Sequence, residues 1–137
     1  DVPHLKSNPV FLYFSDHFQK PNPFKPHLVV AIDEVIEKEL DALATLESQF
    51  VEGDVSGHEG RIPKNDEERA AGLRRVRERF RRRFQSTANK NRDKLIELYG
   101  ERNGKKVRYA EAFEVCEYGR RPSENEPKTK LFPFFER

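Results

Sequence analysis

The residues of this chain that could carry metal or acid–base chemistry are scattered along it. Four histidines fall in predicted loops, with no pair at the helical spacing of a shared metal site: His4, His17, His27 and His58. Asp16 and His17 are adjacent, but neighbours in sequence do not form a zinc site without further ligands from elsewhere. We therefore expect this chain alone to bind no metal.

The other reactive groups are isolated. Cys116 is the single cysteine and has no histidine near it in sequence, which favours a buried structural thiol over a nucleophile. Ser48 and Gln49 stand at the predicted end of a helix, where the amide could orient a polar substrate or could simply be a helix terminus. The sequence has no glycine-rich phosphate loop, nucleophile elbow or paired-carboxylate motif. It therefore contains no complete active site.

One charged segment could bind polyanions. Acidic residues are interleaved with its eight arginines, and no exposed aromatic residue is expected among them to stack on bases. These features favour a solvated helix face or a contact with an acidic partner, and they disfavour nucleic-acid binding. The arginines are Arg69, Arg74, Arg75, Arg77, Arg79, Arg81, Arg82 and Arg83.

The elements that must position these groups indicate one α/β domain over residues 1–137. Residues 1–52 are predicted to form two strands and a helix, 53–64 a flexible loop, 65–100 a basic amphipathic helix, and 101–137 an extended segment with an aromatic tail. The first strand, 9–14, is aromatic and β-branched enough to be covered on both faces. The second, Leu28 to Ile32, is also of the buried type. We expect residues 122–130 to be irregular, and the 131–135 segment to dock on the body or on another chain.

Local signals set the predicted helix ends. Asp33 is placed to cap a first helix that runs to about Gln49, and Asn65 to cap the second helix. Gly100 is predicted to end that second helix as a C-terminal cap. The segment after Gly104 is expected to be mainly extended around a small turn.

Composition limits the class of protein. In 137 residues there are 26 lysines and arginines against 24 acidic residues, so a net charge of +2 points to neither a nucleic acid nor a membrane surface. One cysteine allows no internal disulfide framework, which predicts a reducing, cytoplasmic setting. No run approaches the roughly 20 apolar residues of a membrane span. The start at Asp1 without methionine suggests a processed or truncated chain.

Several segments, in this order, resemble the C-terminal half of the LmbE-like, PIG-L-type de-N-acetylases. The resemblance covers nearly the whole chain and is weakest between Gly53 and Asn65. The segments are Val10-Phe-Leu-Tyr-Phe14, Pro23-Phe-Lys-Pro26, the second predicted strand, Lys38 through Ala42-Leu-Ala44 to Ser48-Gln-Phe50, Asp93-Lys-Leu95 to Tyr99-Gly100, and Tyr109-Ala-Glu-Ala-Phe113.

The resemblance implies a Rossmann-like fold with two or three strands and two long helices in this part, and zinc-dependent removal of an acetyl group from an N-acetylglucosamine-type conjugate. The family's Ala-His-Pro-Asp-Asp and His-x-Asp-His motifs, which supply metal and base, do not occur here. Zinc would belong to the complete enzyme, where it lowers the pKa of a water and polarises the amide carbonyl. An N-terminal half or a companion chain would carry it.

The resemblance also assigns roles to individual residues. Gln49, and His17 and Phe18 in the loop after the first strand, would line the substrate pocket. Tyr109 and Glu111 would support the site from behind or be structural, with a structural salt bridge favoured for Glu111. The chain has His27, Ala31 and Leu46 where the family often has Asp, Asp and His, so activity does not follow from the resemblance alone.

Two functions therefore stand at this stage. One is the C-terminal segment of a metal-dependent de-N-acetylase that needs its N-terminal half. The other is a non-catalytic interaction module that binds an acidic partner through the arginine-rich helix. If the chain stands alone, self-association is expected to cover its exposed strands and aromatic tail.

Overall fold

A computed structural model describes residues 2–15, 22–53, 59–123, 125–132 and 135 of the chain. The fold is mixed α/β, as predicted, with three short strands and four helices in the described residues. In chain order the elements are β1 (Leu12–Phe14), β2 (Leu28–Ala31), α1 (Ile36–Ala44), α2 (Glu47–Phe50), a 3-10 turn (Glu59–Arg61), α3 (Asp66–Lys90), α4 (Arg92–Gly104), β3 (Ala110–Val115) and a π-helical turn (Pro127–Leu131). No helix among them is both long and apolar enough to cross a membrane.

The sheet is antiparallel, with strand order β1-β3-β2. The last strand in sequence lies in the centre and pairs with both earlier ones, Phe113 opposite Phe14 on one side and Glu111 opposite Val30 on the other. β2 is well buried, whereas Phe14 is 67% exposed and Phe11, just before β1, is 48% exposed. The prediction that residues 9–14 are covered on both faces is wrong for the described structure, because Tyr13 and Phe14 point to opposite faces of β1 and are 40% and 67% exposed.

Helix α3 begins as the sequence predicts. The side chain of Asn65 accepts a hydrogen bond from the backbone N–H of Glu68 at 2.9 Å, which satisfies one of the donors left open at a helix start. Buried side chains then recur every four residues, at Val76, Phe80 and Phe84. This stripe packs α3 against α1 and β3.

Asp33 does not cap α1. The helix starts only at Ile36, and its N-cap residue Val35 makes no side-chain hydrogen bond. The carboxylate of Asp33 instead accepts the backbone N–H groups of Arg108, at 3.1 Å, and Tyr109, at 3.2 Å. Asp33 thereby fixes the segment that enters β3, a long-range contact that a local capping pattern does not show.

Both long helices are interrupted. The first predicted helix breaks after Ala44, and Ser48 and Gln49 belong to the separate short helix α2. The second breaks at Asn91, which separates α3 from α4. Gly100 has a φ of 78°, a left-handed conformation that favours glycine. It kinks α4, and the helical segment continues beyond it as far as Gly104.

Two hydrophobic cores lie within the described residues, and the side chain of Val30 packs against both. The first joins β2, β3, α4 and the tail, and its buried members are Leu28, Val29, Ala88, Leu95, Leu98, Val107, Ala110, Ala112 and Phe135. The second joins α1 to α3, and its buried members are Ile32, Ile36, Leu40, Val76, Phe80 and Phe84.

The C-terminal region packs against the first core. Phe135 is 5% exposed and meets the ring of Tyr99 edge-on at 4.9 Å, which confirms the prediction that the aromatic tail docks on the body. The region 122–130 is not simply irregular. Residues Pro127–Leu131 form a π-helical turn, preceded by Glu126, whose carboxylate accepts two hydrogen bonds from the guanidinium of Arg120.

Candidate functional site

The cavity at the end of β1 is the strongest candidate for a functional site. It has a volume of about 260 Å³ and lies between the sheet, α1 and α3. We call it the Glu111 cavity, because a strand carboxylate forms part of its floor. Its lining residues are Phe14, Ser15, Glu39, Leu43, Phe80, Arg83, Phe84, Thr87, Ala110, Glu111 and Ala112.

Strand pairing puts Glu111 on the floor. Glu111 is directly opposite Val30, and paired residues of neighbouring strands share one face of the sheet. Glu111 lines the cavity together with residues of α1 and α3, so this face of the sheet lies beneath those two helices. The flanking residues Ala110 and Ala112 also border the cavity, but side chains alternate along a strand and theirs are buried in the first core.

The charge on Glu111 is disfavoured in this position. Burial raises the pKa of its carboxyl group, and the nearby carboxylate of Glu39 raises the pKa further, while Arg83 acts in the opposite direction. Among the described residues Glu111 makes no ion pair, so the structural salt bridge expected for it is not seen there. A half-buried carboxyl group with a raised pKa beside a cavity is a common feature of binding and catalytic sites.

The walls combine aromatic rings with polar groups. The rings of Phe80 and Phe84 lie 6.3 Å apart on α3, and Phe14 adds an exposed ring from β1. The guanidinium of Arg83 donates a hydrogen bond to the backbone oxygen of Ser15 at 3.2 Å, which connects α3 to the end of β1. Aromatic faces next to carboxylates and a guanidinium suit a ligand with both apolar faces and hydroxyl groups, such as a sugar.

The structure unites only part of the predicted site. Glu111 lines the cavity, but Gln49 is exposed on α2 and lines neither this cavity nor the groove described below. His17 and Phe18 lie outside the described residues. Their pocket roles, like that of Gln49, stay predictions.

Tyr109 lies at the entrance to β3, close to this cavity but not in its lining. Its side chain is half-buried against the second core, and its ring has the guanidinium groups of Arg81 and Arg108 at 6.0 and 5.6 Å from the centroid. The backbone N–H donates to Asp33. These contacts describe a structural residue that holds β3 in place.

Sequence reasoning missed Glu39 and Arg83 as members of the site. Phe80, Arg83, Phe84 and Thr87 recur at helical spacing, so a common face of α3 was readable from the sequence. That this face meets Glu39 of α1 depends on helix packing over more than 40 positions, which no local pattern specifies. Within the described residues no three His, Cys, Asp or Glu side chains cluster as a metal site would require.

The arginine-rich helix uses much of its charge internally. Arg77 forms ion pairs with Glu37 and Asp41 of α1, and Arg81 pairs with Glu37 at 2.8 Å. Arg69 pairs with Glu47 of α2. The basic stripe is therefore in part a clamp that holds α1 and α2 on α3.

A second concave site lies between α2 and the middle of α3. This groove has a volume of about 340 Å³ and contains three arginines of a different face of the helix. We call it the Arg79 groove. It is lined by Phe50, Val51, Gly72, Arg75, Val76, Glu78, Arg79 and Arg82, and it shares no lining residue with the Glu111 cavity.

Comparisons with known proteins return no relative. No protein-family model, curated protein or solved structure matches the chain.

Proposed function

We propose that this chain is the C-terminal segment of a metal-dependent de-N-acetylase of the PIG-L type, with a Rossmann-like fold in the complete enzyme. The reaction is amide hydrolysis that releases acetate from an N-acetylglucosamine-type conjugate in the cytoplasm. An N-terminal half, in the same protein or in a companion chain, carries the metal ligands. This chain supplies part of the sheet and one wall of the substrate pocket.

One observation carries this proposal. Three of the segments that resemble the family become the three neighbouring strands of one sheet, although β3 follows β2 by some 80 positions of sequence. The segment Tyr109-Ala-Glu-Ala-Phe113 provides most of the central strand, and it carries Glu111 into a cavity next to the end of β1. The cavity of about 260 Å³ is slightly smaller than the roughly 300–1,000 Å³ of typical small-molecule pockets, which limits its ligand to about the size of a single sugar ring.

In this proposal the residues of the chain bind and orient the sugar. Glu39 and Glu111 accept hydrogen bonds from sugar hydroxyl groups, and Arg83 donates them. The exposed ring of Phe14 packs on the apolar face of the sugar. The described residues contain no metal site, so no step of the hydrolysis is assigned to them.

A co-expression experiment tests the proposal. The chain is produced with the N-terminal half of a PIG-L-type de-N-acetylase that carries the Ala-His-Pro-Asp-Asp motif, and the complex is purified through a tag on this chain. We expect co-purification, one zinc per pair, and release of acetate from N-acetylglucosamine conjugates. Failure of the two chains to associate, or stoichiometric zinc bound by this chain alone, would contradict it.

A matched pair of variants isolates the role of the cavity. Glu111→Gln should raise the KM for the sugar conjugate by about tenfold, as expected when a neutral amide oxygen replaces a charged acceptor in a hydrogen bond, and leave the zinc content unchanged. Glu101→Gln, an exposed carboxylate on α4, should change neither quantity. If the two substitutions changed the KM equally, the Glu111 cavity would not be part of the substrate site.

The alternative function is a non-catalytic module that binds an acidic partner. It is favoured by the exposed arginines of α3 that form no ion pair within the described residues, Arg74, Arg75, Arg79, Arg82 and Arg83. Retention of the chain on a polyanion column that weakens steeply with salt would support it. Elution of the chain at low salt would contradict this alternative function.

A further inference from the structure

The Arg79 groove is built differently from the rest of the basic helix. Arg75, Arg79 and Arg82 are spaced by four and three residues, so they project from one face of α3 over about 10 Å of helix. The arginines that turn toward α1 and α2, such as Arg77 and Arg69, are ion-paired. Within the described part of the chain, these three have neither a carboxylate partner nor a hydrogen-bond acceptor for their guanidinium groups.

Aromatic rings hold the central arginine in place. The guanidinium carbon of Arg79 lies 5.4 Å from the ring centroid of Phe50 and 5.1 Å from that of Phe80. Cation–π contacts of this kind fix the guanidinium plane without using its N–H groups. The donors of Arg79 are therefore positioned in advance and are left for a ligand, which lowers the entropy cost of binding.

The floor of the groove depends on one glycine. A Cβ atom at Gly72 would lie 2.7 Å from Cγ1 of Val51, closer than real Cβ contacts come, so glycine lets the end of α2 rest directly on α3. That contact brings Phe50 and Val51 beside Val76 to form an apolar base under the arginines. Glu78 contributes the one acidic side chain of the lining.

We propose that the Arg79 groove binds a small phosphate monoester, whose phosphoryl group meets the three arginines and whose apolar or aromatic part lies on Phe50 and Val51. Three arginines against one glutamate leave an excess of two positive charges in the lining, which matches a phosphate dianion. Guanidinium groups present paired N–H donors that fit phosphate oxygens. This site is separate from the Glu111 cavity, and the inference does not depend on the deacetylase proposal.

The probe for this inference is phenyl phosphate, titrated into the whole chain and followed by two-dimensional NMR of backbone amides. We expect saturable shifts centred on Gly72, Val76 and Phe50, with benzyl alcohol, the uncharged comparison, causing no saturable shift. Arg79→Gln should raise the Kd by about tenfold or more, because a charge-assisted hydrogen bond is lost. Arg74→Gln removes the same charge from an exposed position outside the groove and should change the Kd less than about twofold.

Urea unfolding of each variant establishes that it is folded before binding is compared. Equal weakening by Arg74→Gln and Arg79→Gln would overturn the inference, because it would indicate diffuse attraction to a basic helix. Absence of saturable binding by phenyl phosphate would also overturn it. The inference would also be overturned if a short oligonucleotide bound more tightly than phenyl phosphate and bound more weakly to the Arg74→Gln variant, since the occupant would then be a polyanion.

Discussion

Replacing Arg77 with glutamine should lower the free energy of unfolding by about 1 kcal/mol. Arg77 bridges two carboxylates of α1, with a contact to Glu37 of 2.7 Å and a second ion pair to Asp41, and 29% of its side chain remains accessible. Partly exposed ion pairs contribute about 0.2–1 kcal/mol each, so two such pairs give roughly 0.5–2 kcal/mol. The substitution leaves the pair of Arg81 with Glu37 in place.

The comparison variant is Arg75→Gln, two residues earlier on the same helix. Arg75 is exposed and forms no ion pair among the described residues, so its replacement should change the free energy of unfolding by less than about 0.5 kcal/mol. Urea denaturation at about 0.05 M and about 0.5 M sodium chloride measures both variants, since urea adds no ionic strength and salt screens exposed pairs. A double-mutant cycle with Glu37→Gln isolates the coupling between Arg77 and α1.

Two results would refute this reasoning. If Arg75→Gln costs as much as Arg77→Gln, the loss reflects helix propensity or net charge, and the specific contact with α1 contributes nothing. If the cost of Arg77→Gln is the same at both salt concentrations, it comes from packing of the arginine stem and not from its charge.

The remaining predictions concern the cores and the cavity. Leu95→Ala should cost about 3 kcal/mol in urea denaturation, because Leu95 is 0% exposed, whereas Leu46→Ala, at a position 45% exposed, should cost under about 0.5 kcal/mol. Gly104→Ala should cost about 1–3 kcal/mol, because a Cβ there would lie 2.6 Å from backbone atoms of Leu95 and Ile96, which have no room to yield. Glu111→Gln should stabilise the chain more at about pH 7 than at about pH 4, because the raised pKa of Glu111 makes the contribution of this one group to wild-type stability fall as pH rises above its unfolded value of 4.5.

Each of these outcomes has a clear opposite. If Leu95→Ala and Leu46→Ala lowered the free energy of unfolding equally, burial in the first core would not account for the stability of the chain. A neutral Gly104→Ala would show that the turn after Gly100 does not approach the α4 backbone as described. A stabilising effect of Glu111→Gln that is larger at low pH would mean that the ionised carboxylate is favoured in the folded chain, opposite to its position beside Glu39.

The parts of the fold that local chemistry dictates were predictable. Asn65, followed by three acidic residues, predicts the start of α3, and the apolar stripe through Phe80 and Phe84 predicts its buried face. The breaks at Thr45 and Asn91 carry no proline or glycine, and one threonine or asparagine disfavours a helix only weakly, so the local sequence does not specify a break there. After these breaks α2 contacts α3 through Phe50 and Val51, and α4 packs on β2, so the tertiary contacts on either side of each break favour leaving the helix there.

The candidate site was predictable only in part, since its members come from distant segments. Glu111 could be singled out from the segment around Tyr109, but its raised pKa comes first from burial by distant segments and then from Glu39, which lies 72 positions earlier in the sequence. Asp33 was predicted to cap a helix because its local position suits a cap. In the structure its carboxylate instead accepts a hydrogen bond from the backbone N–H of Arg108. Residues that satisfy a distant backbone cannot be recognised from spacing alone.

Zinc content measured on the purified complex tests the central claim most directly. The chain is isolated once alone and once with an N-terminal half that carries the Ala-His-Pro-Asp-Asp motif, and metal is measured per polypeptide by mass spectrometry. We predict one zinc per complex, acetate release only from the complex, and no stoichiometric zinc in the chain alone. A tightly bound zinc in the isolated chain, or a complex that holds zinc but releases no acetate from any N-acetylglucosamine conjugate, would contradict the proposed function.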